Sequence, residues 1–537
     1  MSQTKKKTVL LGCCFLSMLL MFGLCALRGI LNDSDKEVNK STYFALPADT
    51  STEDPLLYLD DEFHVLEGFH SNMPIVIVTV DEEFADYKDF KNSSETVDET
   101  IDPYIDGKIR IIDGGNFDNS LSDKPVLESN IRIKKRGHTS YNFDKEQFLM
   151  KFVREDGTDN DLDVLGMGEN HSWILNGSMA DKSMIRNYLA YRLAAEIDEM
   201  TPDSQFCEVI FEKNGELVYQ GLCLMMESIG RDKNRIDIDE YKQKNSYTSY
   251  IVRRDRYTAF DPMLDTYRRL NGLSEEWIGV KYPTAGKLTD KAKKYIEEDF
   301  SRIERVLYSE NESVFKNYDR YIDVDSFADY FLFNEFFGNY DAGLHSTYMY
   351  KNSGERLKIG PVWDFDQAMN NYSMEEMNPE KLAFQERAFF DRLTLDIRFV
   401  KKLEKRYAEL RNGTLNEDHI NAVINETVAY INSARQREWY RWAADYEDGS
   451  RENWHNYTLL SYEKDGMLVE RFNDNYDQEI YNIKVYLHKH GKFIGTELRV
   501  LERTTCFDSS LGNRRELFLC LVMILFFVPA VMLLRKG

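Results

Sequence analysis

The sequence predicts an α+β fold, a β-rich half followed by a helical half, set between two terminal transmembrane helices. Three observations predict it. Strand-like apolar runs crowd the chain up to about residue 224, helical periodicity dominates after residue 289, and apolar runs at 8–27 and 517–534 close the two ends. A chain of 537 residues with 42% hydrophobic and 13% aromatic content has the means to bury a large core. Its net charge of −24 argues against nonspecific nucleic-acid binding, which needs a basic surface.

About 20 consecutive apolar residues span a bilayer. Lys5, Lys6 and Lys7 precede the first run, and Ala26-Leu27-Arg28 is a poor cleavage site, so residues 8–28 read as an uncleaved signal anchor. The lysines place the N-terminus in the cytoplasm. Residues 1–7 and 535–537 are then cytoplasmic tails, 516–534 a second span, and 481–515 a juxtamembrane segment. This makes a two-pass protein of the cell membrane with its main domain outside the cytoplasm. Residues 29–72, polar and acidic with Pro47 and Pro55, read as a linker, leaving 73–480 as the folded domain.

Within that domain, Ile75-Val76-Ile77-Val78 begins a series of strands that continues at 109–112, 131–133 and 148–152. Strands at 206–211 and 217–224 flank Asn214-Gly215, a strong hairpin turn. Cys207 and Cys223 lie in this hairpin and are candidates for a pair; no cysteine spacing suggests zinc. Thr289 caps a helix whose apolar face carries Ala292, Tyr295, Ile296, Ile303, Val306 and Leu307. Residues 327–337 are apolar nearly all round, as in a buried helix. A helix over 399–410 stops at Asn412-Gly413, and Thr414 with Glu417 makes a capping box for the next.

The most informative stretch follows the buried helix. A polar loop holds Asn339 and Asp341, residues 346–350 and 357–359 read as a hairpin around Lys351-Asn352-Ser353-Gly354, and Trp363-Asp364-Phe365-Asp366 comes next. A hairpin brings its ends together, since paired strands lie about 5 Å apart. Asp341, Asp364 and Asp366 are therefore expected at one site. Clustered carboxylates suit a hard cation such as Mg²⁺, or one of them accepts a hydroxyl proton. Protein kinases place a catalytic Asp and a metal-binding Asp in this order around a hairpin. The competing reading is ordinary loop acids in an acid-rich chain.

The G-N-x-D loop followed by Gly360-Pro361-Val362-Trp363-Asp364-Phe365-Asp366 resembles the CotH kinase family, spore coat protein H-like. Pro74 to Val80, Arg136-Gly137-His138-Thr139-Ser140 with Lys145 and Lys151, Trp173 to Leu175, the Asp181–Asn187 stretch and the Asn214-Gly215 hairpin ending in Glu227 follow the same family in order. The resemblance implies an atypical, two-lobed kinase-like domain with a β-rich N-lobe, a helical C-lobe, and Mg²⁺ and ATP between them. It implies Asp341 as the catalytic acid and Asp364 as the metal-binding acid, supported by Asp366. Arg136, Lys145 and Lys151 become candidates for phosphate contacts, with Glu227 a partner of Lys151. Many relatives carry Asn where this chain has Ser346, so Ser346 or Asn339 is left to complete the metal site. The implied function is Mg²⁺-dependent transfer of the ATP γ-phosphate to protein Ser/Thr or another cell-surface acceptor. The alternative is a catalytically silent family member used for surface binding, adhesion, or envelope or coat assembly.

Overall fold

The β-branched and aromatic runs of the first half become strands. In the computed structural model these are β1 (Ile75–Thr79), β2 (Ile105–Ile112), β3 (Leu127–Arg136), β4 (Gln147–Val153), β5 (Ser172–Asn176), β6 (Ser204–Lys213) and β7 (Glu216–Glu227). The structure describes residues 46–84, 102–447, 461–464, 467–470 and 476–534, apart from 116, 138–139, 141–142, 178, 199, 246, 259 and 372–376; side chains are described up to 443 and from 476 to 505. The seven strands pair in the order β6-β7-β5-β4-β3-β2-β1, and β1 lies parallel to β6, closing a barrel. Side chains alternate across each strand, so Val76, Val78, Ile109, Ile131, Met150 and Trp173 fill the barrel. Ile75 and Ile77 point the other way, against Phe69 and Tyr219. Asn214 and Gly215, with φ of 54° and 84°, make the expected turn between β6 and β7. Cys207 stands opposite Cys223 across these strands; both are buried free thiols, so the candidate pair is not joined.

A second sheet contains β8 (Tyr250–Asp255), β9 (Trp277–Tyr282), β10 (Thr347–Lys351) and β11 (Lys358–Ile359) in the order β9-β8-β10-β11. β10 and β11 are the expected hairpin, with Met349 opposite Ile359 and Tyr350 opposite Lys358. The helices are α1 (Arg186–Ala194), α2 (Asp290–Leu307), α3 (Val324–Phe337), α4 (Ile397–Asn412), α5 (Glu417–Tyr430), α6 (Asn432–Glu447) and α7 (Tyr476–Leu534). Thr289 caps α2 by accepting the Ala292 N–H. α3 is buried at every position from Tyr330 to Phe337. Asn416, not Thr414, caps α5: its side chain accepts the N–H groups of Asp418 and His419, because the helix begins at Glu417 and Thr414 lies too far upstream.

The expected fold class needs two corrections. The α+β class stands, but the β-rich half closes into a barrel and does not separate as one of two lobes; the described residues gather into a single unit. The reason is visible in α6, which seals the barrel to the helices through buried charge pairs. Arg437 makes a two-pronged bond to Glu208, at 2.7 and 2.6 Å, and Glu438 accepts Lys145 Nζ at 2.6 Å. The second correction concerns the membrane. Among the described residues no helix is long and apolar enough to cross a bilayer, so the two terminal spans, the two-pass placement in the cell membrane and the membrane as a partner are not supported. The expected first span lies outside the described residues. The backbone of the second continues α7, whose described half carries Lys484, Lys489, Lys492, Glu497, Arg499 and Arg503 and packs on α3 and α4.

Candidate functional site

The polar loop is positioned by the end of α3. Gly338 takes φ of 59°, and a Cβ there would collide with the Tyr486 hydroxyl and Met377, so only glycine turns the chain here. Buried Asn339 donates from its amide to the Asn334 side chain at 3.2 Å and to the Trp363 carbonyl at 3.1 Å. It ties the loop before the hairpin to the segment after it, and does not line the cavity described below. The Asp341 carbonyl accepts the N–H groups of Leu344 and His345, and Gly343 N–H donates to Thr347 Oγ1, which tightens the loop onto β10.

After β11 the chain is held by α1. Phe365 N–H donates to Asn187 Oδ1 at 2.7 Å and Asp364 N–H to the Tyr191 hydroxyl at 3.2 Å. Asp364 sits at φ of 65° and Ser346 at 49°, left-handed conformations that non-glycine residues take at a cost. The Ser346 hydroxyl donates to Asp364 Oδ2 at 3.3 Å.

These residues open onto a cavity of about 1090 Å³, lined by Asp341, Ser346, Trp363, Asp364 and Asp366 and by Arg136 and Lys151 from the barrel. Burial and then the Asp364 charge push the Asp341 pKa up to about 6, opposed by Arg256. Asp364 is also raised, by burial, against the pull of Arg136 and the Ser346 hydrogen bond. Asp366 is raised further, by burial and then by Asp364 and Asp341. Carboxylates that hinder each other's ionisation are relieved by a proton or by a cation. The donor set of acid oxygens and one hydroxyl fits a hard divalent ion that takes its other ligands from phosphates and water. Among the described residues no three acid, imidazole or thiol groups converge closely enough to hold a metal alone.

The basic candidates part company. Arg136 Nη1 donates to Gln147 Oε1 at 2.7 Å, and its guanidinium lies 5.9 Å from the Trp363 ring, beside the acids. Lys151 lines the cavity with its ammonium 4.9 Å from the Tyr104 ring, its pKa lowered by burial and then by Lys134 and Arg132, against Asp159 and Asp102. Lys145 lies elsewhere: buried, it donates to the Leu222 carbonyl at 2.7 Å and to Glu438. Glu227 accepts the Asp203 N–H at 2.8 Å and faces Arg235 at 3.6 Å, outside the cavity lining. Sequence reading noted Asn187 only as the end of the Asp181–Asn187 stretch and gave it no role, and it missed Tyr191, which with Asn187 aims the Asp364 segment, and Arg256, a further cation of the cavity. A Tyr on a helix, or an Arg after a strand, carries no spacing signal that would single it out.

A search among curated proteins found no match. The sequence profile of the family described as CotH kinase protein matches residues 133–494, from within β3 to within α7, and so takes in the loop, the hairpin and the acids just described. With most of its length matched, the chain belongs to the CotH kinase family.

Proposed function

We propose that the protein is a phosphotransferase that passes the γ-phosphoryl group of ATP to a hydroxyl of a protein or cell-surface acceptor. The observation that carries this reading is one cavity with Asp341, Asp364 and Asp366 on the hairpin side and Arg136 and Lys151 on the barrel side. Asp341 accepts the acceptor's hydroxyl proton; its raised pKa suits a base working near neutral pH. Asp364 and Asp366 would hold Mg²⁺, helped by Ser346, and the bound ion would neutralise phosphate charge. Arg136, braced by Gln147, and Lys151 bind phosphate oxygens.

A second reading has one observation in its favour: the described acids do not form a complete metal cluster. On that reading the protein is a silent, kinase-like coat or surface component. Calorimetric titration of ATP into the full-length protein, with and without Mg²⁺, decides between them. We expect Mg²⁺-dependent binding that Asp364→Asn weakens at least tenfold, together with slow ATP turnover. Equal affinity in wild type and Asp364→Asn with Mg²⁺ present would sink the metal assignment, and no binding in either would leave the silent reading standing.

A further inference from the structure

Three guanidinium groups act on the acids of the cavity, and they are held differently: Arg387, outside the cavity lining, donates to the Tyr340 carbonyl at 2.8 Å, leaving Arg136 and Arg256 on the wall. Arg136 is fixed by Gln147 and by the Trp363 ring. Arg256 is not. It follows β8 directly, and in the pairing of β8 with β10 Arg254 stands opposite Thr347. Continuing that antiparallel register sets Asp255-Arg256 alongside Ser346-His345, at the end of the loop that carries Asp341. Arg256 lines the cavity with Asp341, Ser346 and Asp364. Its side chain is 39% exposed and meets Asp255 only at 4.0 Å. The neighbouring cations are committed: Arg253 to Asp255 at 3.4 Å and to Asp261 at 3.2 Å, and Lys281 to Asp261 at 3.0 Å. Arg256 is thus a cation of this wall that can swing onto an incoming anion. Its charge already acts on Asp341, Asp364 and His345.

Phosphoryl transfer needs positive charge where the three equatorial oxygens of the moving group gather. Protein kinases supply part of it with a second Mg²⁺ held by an Asn of the catalytic loop. Here Ser346 stands in the corresponding loop, and its hydroxyl is turned onto Asp364.

We propose that Arg256 contacts the transferring phosphoryl group and supplies in protein form the charge that kinases draw from a second metal ion. This rests on the phosphotransfer reading above. In the step, the acceptor oxygen bonds to the γ-phosphorus and the bond from that phosphorus to the β–γ bridging oxygen breaks. The bond's electron pair leaves on ADP, and the acceptor's proton passes to the Asp341 carboxylate. Arg256 neither gains nor loses a proton; it follows the charge on the γ-oxygens. A contact to the γ-phosphoryl alone separates ATP from ADP.

The test is calorimetric titration of full-length wild type, Arg256→Ala and Arg256→Lys with ADP and with a non-hydrolysable β,γ-imido ATP analogue, in Mg²⁺, alongside ATP turnover. Arg256→Ala should keep ADP affinity within about twofold and bind the triphosphate analogue about tenfold more weakly, the loss expected for one charge-assisted contact. Its turnover should fall by about 10³, the lower end of the effect of a transfer-site arginine. Arg256→Lys should recover part of the analogue affinity. Because the side chain is partly exposed, melting temperatures should agree among the three. An unchanged ratio of analogue to ADP affinity in Arg256→Ala, or unchanged turnover, overturns the proposal while the phosphotransfer reading survives. Wild type that binds neither nucleotide overturns both.

Discussion

Asp341 is where the chemistry and the stability of this protein pull in opposite directions. Burial and the Asp364 charge raise its pKa to about 6, and a general base works only when unprotonated. The kcat/KM for ATP, which reports the free enzyme, should therefore rise with pH through about 6. Asp341→Asn should abolish that limb and lower turnover by about 10²–10⁴ while leaving nucleotide affinity within about twofold, as a turnover and titration pair would read. The stability sign runs the other way. A carboxyl whose folded pKa lies above its ordinary 3.8 contributes stability that is full below 3.8 and lost as pH rises through about 6. At pH 7 Asp341→Asn should then melt no lower than wild type, as thermal denaturation would show. Lys145 makes the contrasting case. Its ammonium is spent on Glu438 and the Leu222 carbonyl, so Lys145→Met should cost about 3–5 kcal/mol of stability, the usual penalty for breaking a buried pair. Nucleotide affinity of the folded fraction should not change.

At the scale of elements, the fit of α6 on the barrel turns on a glycine. Gly221 in β7 takes φ of 116°, and a Cβ there would strike the Glu438 carboxylate. That carboxylate accepts the Leu222 N–H at 2.8 Å as well as Lys145, so it has nowhere to move. Gly221→Ala should cost about 3 kcal/mol or more, the sum of backbone strain and a displaced buried ion pair, measurable by denaturant unfolding. The register of β6 against β7 shifts between Val209 and Ile210, facing this glycine. The hairpin itself was legible from Asn214-Gly215 between alternating runs. The glycine that lets a helix dock on it was not, because nothing local distinguishes it from any strand glycine.

Across the whole molecule, α7 is stapled to α3 by a histidine. Both ring nitrogens of His490 face acceptors: Nδ1 the Pro379 carbonyl and Nε2 the Glu335 carbonyl, each at 2.8 Å. Both nitrogens can donate at once only in the imidazolium form, which also pairs with the Glu335 carboxylate at 3.2 Å. Burial opposes the charge, but the Glu335 contacts outweigh it and raise the pKa above 6.5. A raised histidine contributes stability that is full below 6.5 and lost as pH climbs through its folded value. The melting temperature should accordingly fall from pH 6 towards pH 9. His490→Gln should be less stable than wild type at pH 6 and should show a flatter profile. Glu335 also accepts the N–H groups of Ala383 and Phe384, so the staple braces the helix that presents the Asp341 loop.

The sequence by itself determined the pieces whose cause is local. Alternation set the strands, Thr289 the start of α2, the all-round apolar run the buried α3, and the turn residues the hairpin between Asp341 and Asp364. These follow from periodicity and turn chemistry acting over a few residues. Only the tertiary structure decided the rest. Lys145 meets Glu438, and Arg186 meets Glu479, each 293 positions away, and no local pattern encodes such pairings. That distance in sequence is why Lys145 could read as a phosphate contact, why Arg256 carried no signal, and why the β-rich half closed into a barrel under α6 and did not separate as a lobe. The terminal apolar runs make the same point. Length and apolarity alone suggested spans at 8–28 and 516–534; in the segment before the second, read as juxtamembrane, α7 packs on α3 and α4, with Ile483, Leu487, Ile494 and Leu498 buried in the core.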